Sequence, residues 1–245
     1  VTVSYKDFAQ QMHGFFAMPA ALPAAGKAMQ WLAQEMDRRL TAAERKDVVV
    51  VGAGFSGMYQ LYKLREQGLD VQVFEAGSDV GGTWYWNRYP GARVDIESMA
   101  YSFSFSEELQ QEWEWSEKYS PQPELLKYAQ HIADRFDLKN HIAFNTRVAT
   151  AHFDEDADEW LVTTECGRRI RAQHLVMATG VLSASKEPDI VGRENYQGDT
   201  YRTGLWPKEG VDFTGKRVAV IGTGSSAVQA IPLIAEEASE LVVYQ

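Results

Sequence analysis

Two copies of one pattern, an apolar run that leads into a Gly-x-Gly turn, constrain the fold of this chain most. The first copy runs from Asp47 through four valines to Gly52, and the second runs from Arg217 to Gly222. An uninterrupted β-branched run is typical of a parallel strand that is buried on both faces. A helical pattern and another apolar run follow each turn, so each copy predicts a strand–helix–strand unit of a parallel sheet.

Composition places the chain among globular proteins and excludes several kinds of site. It has 245 residues, of which 45% are hydrophobic, enough for one large domain or two smaller ones. The single cysteine, Cys166, excludes a disulfide framework and a cysteine-cluster metal site. The five histidines fit no metal-ligand spacing, so we predict no metal.

The charge balance and the apolar segments bear on partners and location. There are 24 Lys and Arg residues against 34 Asp and Glu residues, a net charge of -10 that disfavours nucleic acid and anionic membranes. No run approaches the roughly 20 apolar residues of a membrane span. Residues 15–25 are apolar but contain Pro19 and Pro23 and lack a basic lead-in, so they predict a packed segment rather than a secretion signal. We therefore expect a cytoplasmic location.

The fold expected from these patterns is α/β, with two dinucleotide-binding (Rossmann-like) three-layer units, a small antiparallel β-meander and an incomplete second unit. We divide the chain into a helical extension (1–46), a first dinucleotide-binding domain (47–186) and the start of a second one (187–245). The extension is expected to pack on a neighbouring surface, with a partner-binding helix as the alternative. Its apolar residues share one helical face: Met29, Leu32, Ala33, Met36 and Leu40.

Between the two glycine turns the pattern changes several times. Residues 71–75 predict a second strand, and residues 123–136 predict a helix. Residues 78–105 are rich in Gly, Arg and aromatic residues without periodicity, which indicates a long functional loop. Residues 142–170 alternate and predict the meander, and residues 174–180 predict a buried strand that ends in a glycine turn.

The first glycine turn has the spacing and the context of a dinucleotide site. Gly52 permits a tight turn, Gly54 lets the backbone approach a pyrophosphate, and Gly57 lets helix and strand pack closely. Glu75, 23 residues after Gly52, is placed to accept hydrogen bonds from both hydroxyls of a ribose. The alternative is a purely structural turn.

The second turn differs from the first at two positions. Its third glycine is replaced by Ala227, and Gln245 occupies the position 23 residues after Gly222. Because a carboxylate there would bind a free 2′-hydroxyl and repel a 2′-phosphate, its absence favours NADP over NAD. Two dinucleotides in one chain typically serve hydride transfer from a nicotinamide to a flavin.

Two aromatic segments carry a much more specific pattern. The first is Gly81-Gly-Thr-Trp-Tyr-Trp-Asn-Arg-Tyr-Pro-Gly-Ala-Arg-Val-Asp95, and the second is Tyr196-Gln-Gly-Asp-Thr-Tyr-Arg-Thr-Gly-Leu-Trp-Pro207. They resemble the two fingerprints of type I Baeyer–Villiger monooxygenases, and Ala178-Thr-Gly180 resembles a turn of flavoproteins with two dinucleotides. The resemblance covers residues 47–245. It departs from the family at Tyr196, where the family has Phe, and at Arg202, where it has a central His.

The resemblance implies an oxidoreductase that uses FAD, NADPH and O2. It makes residues 47–186 the FAD-binding domain and residues 187–245 the start of the NADP-binding domain. Such enzymes insert one oxygen atom next to the carbonyl of a ketone by way of a C4a-peroxyflavin and release an ester or lactone. The alternatives are an N- or S-oxygenating flavin monooxygenase and a cofactor-binding fragment without turnover. A disulfide reductase is disfavoured because Cys166 has no second cysteine to pair with.

The resemblance also implies which residues form the site. Asp95 and Arg202 are the expected catalytic residues of this chain, since in the family this Asp holds an arginine beside the flavin. The residues expected on the flavin side are Gly52, Gly54, Phe55, Ser56, Gly57, Glu75, Gly82, Thr83, Trp84, Tyr85, Trp86, Tyr101, Val148, Thr179 and Gly180. Those expected on the nicotinamide side are Arg93, Asp95, Gly222, Thr223, Gly224, Ser225, Ser226 and Gln229.

Plainer interpretations of these residues stay open. Trp84 and Trp86 are also consistent with ordinary core aromatics, Arg93 with a surface charge, and Asp95 with the cap of a helix that begins near Ile96. The ketone, the role of Arg202 and the oligomeric state, including a homo-oligomer, are not determined by the pattern. Because this architecture needs about twice the length, we expect the chain to be the retained part of a longer protein.

Overall fold

The computed structural model describes residues 26–27, 29–32 and 43–245. Residues 26–27 and 29–32 are helical, and Met29 and Leu32 are 41% and 38% exposed. The other residues of the predicted apolar helical face, Ala33, Met36 and Leu40, lie outside the described residues, as do residues 15–25. Over the described part of the chain, none of the helices is long and apolar enough to pass through a membrane.

The described residues contain eight strands, which form two sheets. The strands are β1 (Glu44–Val51), β2 (Val71–Phe74), β3 (Ile142–Ala143), β4 (Val148–Asp154), β5 (Glu159–Thr164), β6 (Arg169–Met177), β7 (Arg217–Ile221) and β8 (Glu240–Tyr244). The larger sheet has the order β3-β2-β1-β6-β5-β4, and β7 pairs with β8 alone. Strands β3, β2, β1 and β6 are parallel, whereas β4, β5 and β6 are antiparallel.

Five α-helices complete the fold of residues 43–245: α1 (Phe55–Glu66), α2 (Thr83–Trp86), α3 (Glu107–Glu112), α4 (Gln122–Arg135) and α5 (Ser225–Glu237). Helix α1 connects β1 to β2, and α5 connects β7 to β8. Both predicted strand–helix–strand units are present, and the α/β fold is confirmed. In this chain the second unit consists of two strands and one helix.

The larger sheet lies between two apolar layers. On one face, Val48 and Val50 of β1 pack with residues of α1 and α4 such as Leu61 and Ile132, all at most 1% exposed. On the other face, Val49 packs with residues of the antiparallel strands. Burying both faces of β1 explains why its sequence is a continuous valine run. Because β1, β2 and β6 are parallel, their carboxyl ends meet at one edge of the sheet. This is the edge at which open α/β sheets bind ligands.

The first strand starts earlier than predicted. It begins at Glu44 rather than Asp47, so residues 44–46 belong to the sheet and not to the helical extension. They pair with residues 170–172 of β6. The polar side chains are held by ion pairs, since Lys46 lies 3.0 Å from Asp70 and Glu44 lies 2.8 Å from Arg168. The division of the chain into domains otherwise stays a prediction.

The meander also differs from the prediction. Strand β3, which begins at Ile142, pairs in parallel with β2 and is not part of the meander. The predicted strand at residues 174–180 is the second half of β6, which leaves β5 after Ala172 but remains paired with β1 up to Met177. That half is not buried, since Met177 is 62% exposed. A single strand that changes neighbours explains why two separate strands were predicted.

The loop at residues 78–105 contains two short helical turns. Helix α2 covers Thr83–Trp86, and a 3₁₀ turn covers Ser98–Tyr101. Asp95 lies in a bend, and the residue that precedes the 3₁₀ turn is Glu97. The hypothesis that Asp95 caps a helix near Ile96 is therefore wrong.

Candidate functional site: two glycine turns and an aromatic loop

The first glycine turn is built from backbone contacts that exclude side chains. Gly52 has a φ of +103°, and a Cβ placed there would lie 2.5 Å from the carbonyl oxygen of Ala178, which begins the Ala-Thr-Gly turn after β6. A Cβ at Gly57 would lie 1.9 Å from the carbonyl oxygen of Gly52. The motif therefore brings β1, α1 and the end of β6 together at the edge where the parallel strands end.

The N-terminal end of helix α1 lies beside this turn. Gly54 precedes α1, a helix of 12 residues, and no described side chain caps this end of the helix. A Cβ at Gly82 would lie 2.8 Å from the Cα of Gly54, so the aromatic loop approaches the turn closely. The first N–H groups of α1 are thus available to an anion, which the helix dipole also favours.

Glu75 follows β2 directly and fixes the same turn. Its side chain is 5% exposed, and its two carboxylate oxygens accept 2.7 Å hydrogen bonds from the backbone N–H groups of Ala53 and Gly77. An ionised carboxylate has about four acceptor positions, so two remain for ribose hydroxyls. The structure thus gives Glu75 a structural role in addition to the predicted ligand role.

Three predicted flavin-side aromatic residues come together beyond the turn. The ring of Tyr101 lies 5.7 Å from that of Phe55 and 5.6 Å from that of Trp84, in edge-to-face arrangements in both cases. Val94 and Leu125, which are 2% and 0% exposed, belong to the same apolar cluster as Trp84. This cluster forms a rigid apolar wall of the kind that shields a reactive group from water.

Tyr85 links the aromatic loop to residues on both sides of it. Its hydroxyl accepts hydrogen bonds from the Ser78 amide at 3.0 Å and from the Lys208 ammonium at 3.2 Å. Arg88 and Lys208 also lie 5.1 and 5.4 Å from the centre of its ring. Burial alone would raise the pKa of the Tyr85 phenol, but the hydrogen bonds from Ser78 and Lys208 outweigh it and lower the pKa below its usual value.

We expect Tyr85→Phe to lower the free energy of unfolding by about 1 kcal/mol, because Ser78 and Lys208 lose their acceptor. A lowered folded-state pKa means that folding favours the phenolate. The difference from wild type should therefore grow as the pH rises through the folded-state pKa of Tyr85 towards the ordinary tyrosine value. Denaturant titrations at neutral and alkaline pH measure this difference. Tyr244→Phe, at a site that is 57% exposed, is the control, and an equal effect of both variants would contradict the prediction.

Asp95 lies beside this wall and is exposed. Burial, and secondarily the charge of Asp95, raise the pKa of Tyr101 against the effect of its hydrogen bond with Trp84. The side chain of the neighbouring Arg93 lies 3.3 Å from Glu117. The structure therefore brings Asp95 to the aromatic wall, and its catalytic role stays a prediction.

Arg202, which stands where the resembled family has a histidine, makes an ion pair. Its guanidinium lies 2.7 Å from a carboxylate oxygen of Glu187, which also bonds Arg193. The hydrogen bond from Arg193 and the positive charge of Arg202 hold the pKa of the Glu187 carboxyl below its usual value. The permanent charge of Arg202 thus faces the carboxylate of Glu187, which it shares with Arg193.

The second glycine turn repeats the backbone of the first. Gly222 also has a φ of +103°, and its N–H bonds the Tyr244 carbonyl at 2.8 Å, as that of Gly52 bonds Phe74. Gly224 precedes α5 with nearly the same backbone angles as Gly54 before α1. Because Tyr244 is the equivalent of Phe74, Gln245 occupies the position of Glu75, as the spacing predicted.

The remaining predicted residues lie at the same edges. Thr83 and Trp86 are the first and last residues of α2, and Thr179 and Gly180 follow the end of β6, with the Thr179 nitrogen 3.5 Å from a Cβ placed at Gly52. Val148 packs with Phe74, next to Glu75. At the second turn, Ser225 and Ser226 begin α5.

Sequence reasoning missed the contact between the two units. The amide of Gln229, predicted only as part of the nicotinamide side, bonds Tyr89 and the backbone of Arg93 in the aromatic loop. Gly91 lies against the same helix, since its Cβ would be 2.3 Å from the Gln229 carbonyl oxygen. The Pro90-Gly91 pair, at which Gly91 has a φ of +74°, was the available signal, but the helix that lies against it is about 140 residues away in the chain.

Comparison with known proteins agrees with this geometry. Residues 45–244 match the model of the family described as flavin-binding monooxygenase-like. The chain is 47% identical to a Baeyer-Villiger monooxygenase of Pseudooceanicola batsensis over 200 residues, which are 81% of this chain and 36% of that protein. It is also 47% identical to the phenazine N-monooxygenase PhzNO1 of Lysobacter antibioticus, over 81% of this chain and 37% of that protein.

A solved structure gives the same result. The structure described as oxidized steroid monooxygenase bound to NADP is 57% identical, with a TM-score of 0.78, over 82% of this chain and 39% of that one. The chain thus spans less than two fifths of the length of these relatives. The resemblance to Baeyer–Villiger monooxygenases is confirmed, and the match over residues 45–244 shows that this chain belongs to the flavin-binding monooxygenase-like family.

Proposed function

We propose that this chain provides the FAD-binding unit and part of the NADPH-binding unit of a monooxygenase that converts a ketone to an ester or lactone. The observation that carries the proposal is the pair of glycine turns with the same backbone. The strand that bonds the first turn is followed by Glu75, and the strand that bonds the second is followed by Gln245. When bound, FAD and NADPH supply the redox chemistry: ketone, O2, NADPH and a proton give ester, NADP+ and water.

The residues of the first turn fit FAD. The N–H groups at the start of α1 would hold the pyrophosphate, and Glu75 would accept the hydroxyls of the adenosine ribose through the acceptor positions that Ala53 and Gly77 leave open. The wall of Phe55, Trp84 and Tyr101 would exclude water from the flavin ring.

The residues of the second turn fit NADPH better than NADH. A carboxylate at position 245 would repel a 2′-phosphate, whereas the amide of Gln245 would donate a hydrogen bond to it. The turn itself offers the N–H groups of Ser225 and Ser226 to the pyrophosphate.

An N-oxygenating enzyme is the second candidate, favoured by the likeness to phenazine N-monooxygenase. Both candidates share the dinucleotide turns, so the products must distinguish them. The full-length protein with FAD and NADPH should be offered cyclohexanone, a linear ketone and phenazine in separate reactions. Lactone or ester from a ketone supports the proposal, and an N-oxide alone supports the second candidate. A protein that binds no flavin contradicts both.

A further inference from the structure

The side-chain amide of Gln229 joins the second unit to the aromatic loop of the first. Its Oε1 accepts hydrogen bonds from the Tyr89 hydroxyl at 2.8 Å and from the Arg93 amide at 3.3 Å. Its Nε2 donates to the Arg93 carbonyl at 3.1 Å. One amide thus satisfies both backbone groups of Arg93, in the way that a neighbouring strand would.

Close packing surrounds these hydrogen bonds. A Cβ at Gly91 would lie 2.3 Å from the carbonyl oxygen of Gln229 and 3.1 Å from the side chain of Leu233, so the loop backbone lies directly on α5. Tyr89 packs against the cluster that contains Ala230 and Ile234 of the same helix. The loop is therefore held on α5 at several points. Among the contacts described here, the hydrogen bonds of the Gln229 side-chain amide are the ones that fix the backbone of Arg93.

The contact between Gln229 and Arg93 connects the second glycine turn to the aromatic wall. Gln229 lies four residues after Ser225, so the two share one face of α5, at the end that follows the second glycine turn. Arg93 lies two residues before Asp95, and Val94 between them belongs to the wall that contains Trp84. One helix thus carries both the nicotinamide-side turn and the group that holds the flavin-side loop.

We propose that Gln229 is a positioning residue, which sets the location of residues 89–95 relative to the second glycine turn. Through this contact, a dinucleotide bound at residues 222–226 and the loop beside the flavin keep one relative position. Gln229 itself touches neither reacting ring in this role. The inference rests on the proposed function, because it needs a dinucleotide at each turn.

The backbone amides of the loop provide a direct measurement. Hydrogen exchange should be followed in the full-length protein with FAD, with and without NADP+. In Gln229→Leu, the Arg93 amide should exchange about fivefold faster, because it loses one hydrogen bond. The Val94 amide, which bonds the Ser120 carbonyl at 3.1 Å, should be unchanged. Gln111→Leu, at an exposed position of α3, is the matched control.

Kinetics separate positioning from mere structural support. In Gln229→Leu, the rate of flavin reduction by NADPH should fall about tenfold or more, since three hydrogen bonds of about two- to tenfold each are lost. Reduction by dithionite, which needs no second unit, should not change. Gln229→Glu keeps the acceptor for Tyr89 and Arg93 and should restore part of the rate.

The outcomes distinguish this inference from the proposed function. If NADP+ slows exchange at residues 222–226 in the wild type, but Gln229→Leu leaves both the Arg93 amide and the NADPH rate unchanged, the inference is overturned and the proposed function stands. Equal losses with NADPH and dithionite would show a structural role only and also overturn it. If NADP+ leaves residues 222–226 unchanged in the wild type, both proposals fail.

Discussion

Replacing Gly57 with alanine is expected to lower the free energy of unfolding by about 3 kcal/mol and to abolish flavin binding. The new methyl group would lie 1.9 Å from the Gly52 carbonyl oxygen, and a backbone atom cannot rotate away as a side chain can. Helix α1 would have to move by more than about 1 Å. Met58 and Leu61 of α1, at 1% and 0% exposed, oppose that movement. Denaturant unfolding and the flavin absorbance of the purified protein measure the two effects.

Gly204→Ala is the matched control for this substitution. Gly204 has an ordinary φ, and the nearest described atom to its added Cβ, an oxygen of Asn87, is 3.9 Å away. We expect a change in unfolding free energy within about 0.5 kcal/mol and unchanged flavin content. The second unit already carries Ala227 at the position equivalent to Gly57. A Gly57→Ala protein that folds and binds flavin normally would contradict this prediction. It would mean that α1 accommodates the added methyl group, as α5 accommodates that of Ala227, despite the packing of Met58 and Leu61.

The two turns could be predicted from the sequence because their requirements are local. A positive φ at Gly52 and the near-contact of Gly57 with the Gly52 carbonyl involve residues that are close in the chain, and in the first turn glycine meets both requirements. The identical φ of Gly222 follows from the same spacing. The acidic position also lies at a fixed distance, because one helix and one strand of ordinary length separate Gly52 from Glu75.

Other features depend on partners that are far away in the chain. The amide of Gln229 bonds Arg93, which is 136 residues away in the chain, and neither residue type predicts such a contact. Arg202 pairs with the carboxylate of Glu187 because an irregular segment folds back on itself. The periodicity of apolar residues does not predict such a fold-back. Strand β1 extends to Glu44 because polar residues are held there by ion pairs, whereas the pattern of apolar residues stops at Val48.

Replacing Glu75 with glutamine tests the first dinucleotide site without changing its shape. Each oxygen of the carboxylate accepts a 2.7 Å hydrogen bond from the N–H of Ala53 or Gly77, at a side chain that is 5% exposed. A glutamine has one acceptor oxygen, so its NH2 group would face the other N–H. Leaving that buried donor without an acceptor costs about 1–3 kcal/mol. We expect the free energy of unfolding to fall by that amount.

The same substitution should weaken FAD binding about 10- to 100-fold, because a hydrogen bond to a charged acceptor contributes about 1.5–3 kcal/mol and the ribose would lose it. The affinity is measured by titrating the deflavinated protein with FAD and following the quenching of flavin fluorescence. Glu236→Gln, on the exposed side of α5, should leave both quantities unchanged. NADP+ binding at the second turn should be retained in Glu75→Gln, since Gln245 stands at the equivalent position there. Loss of stability with FAD affinity kept within twofold would show that Glu75 only braces the turn, and the ribose would then need another acceptor.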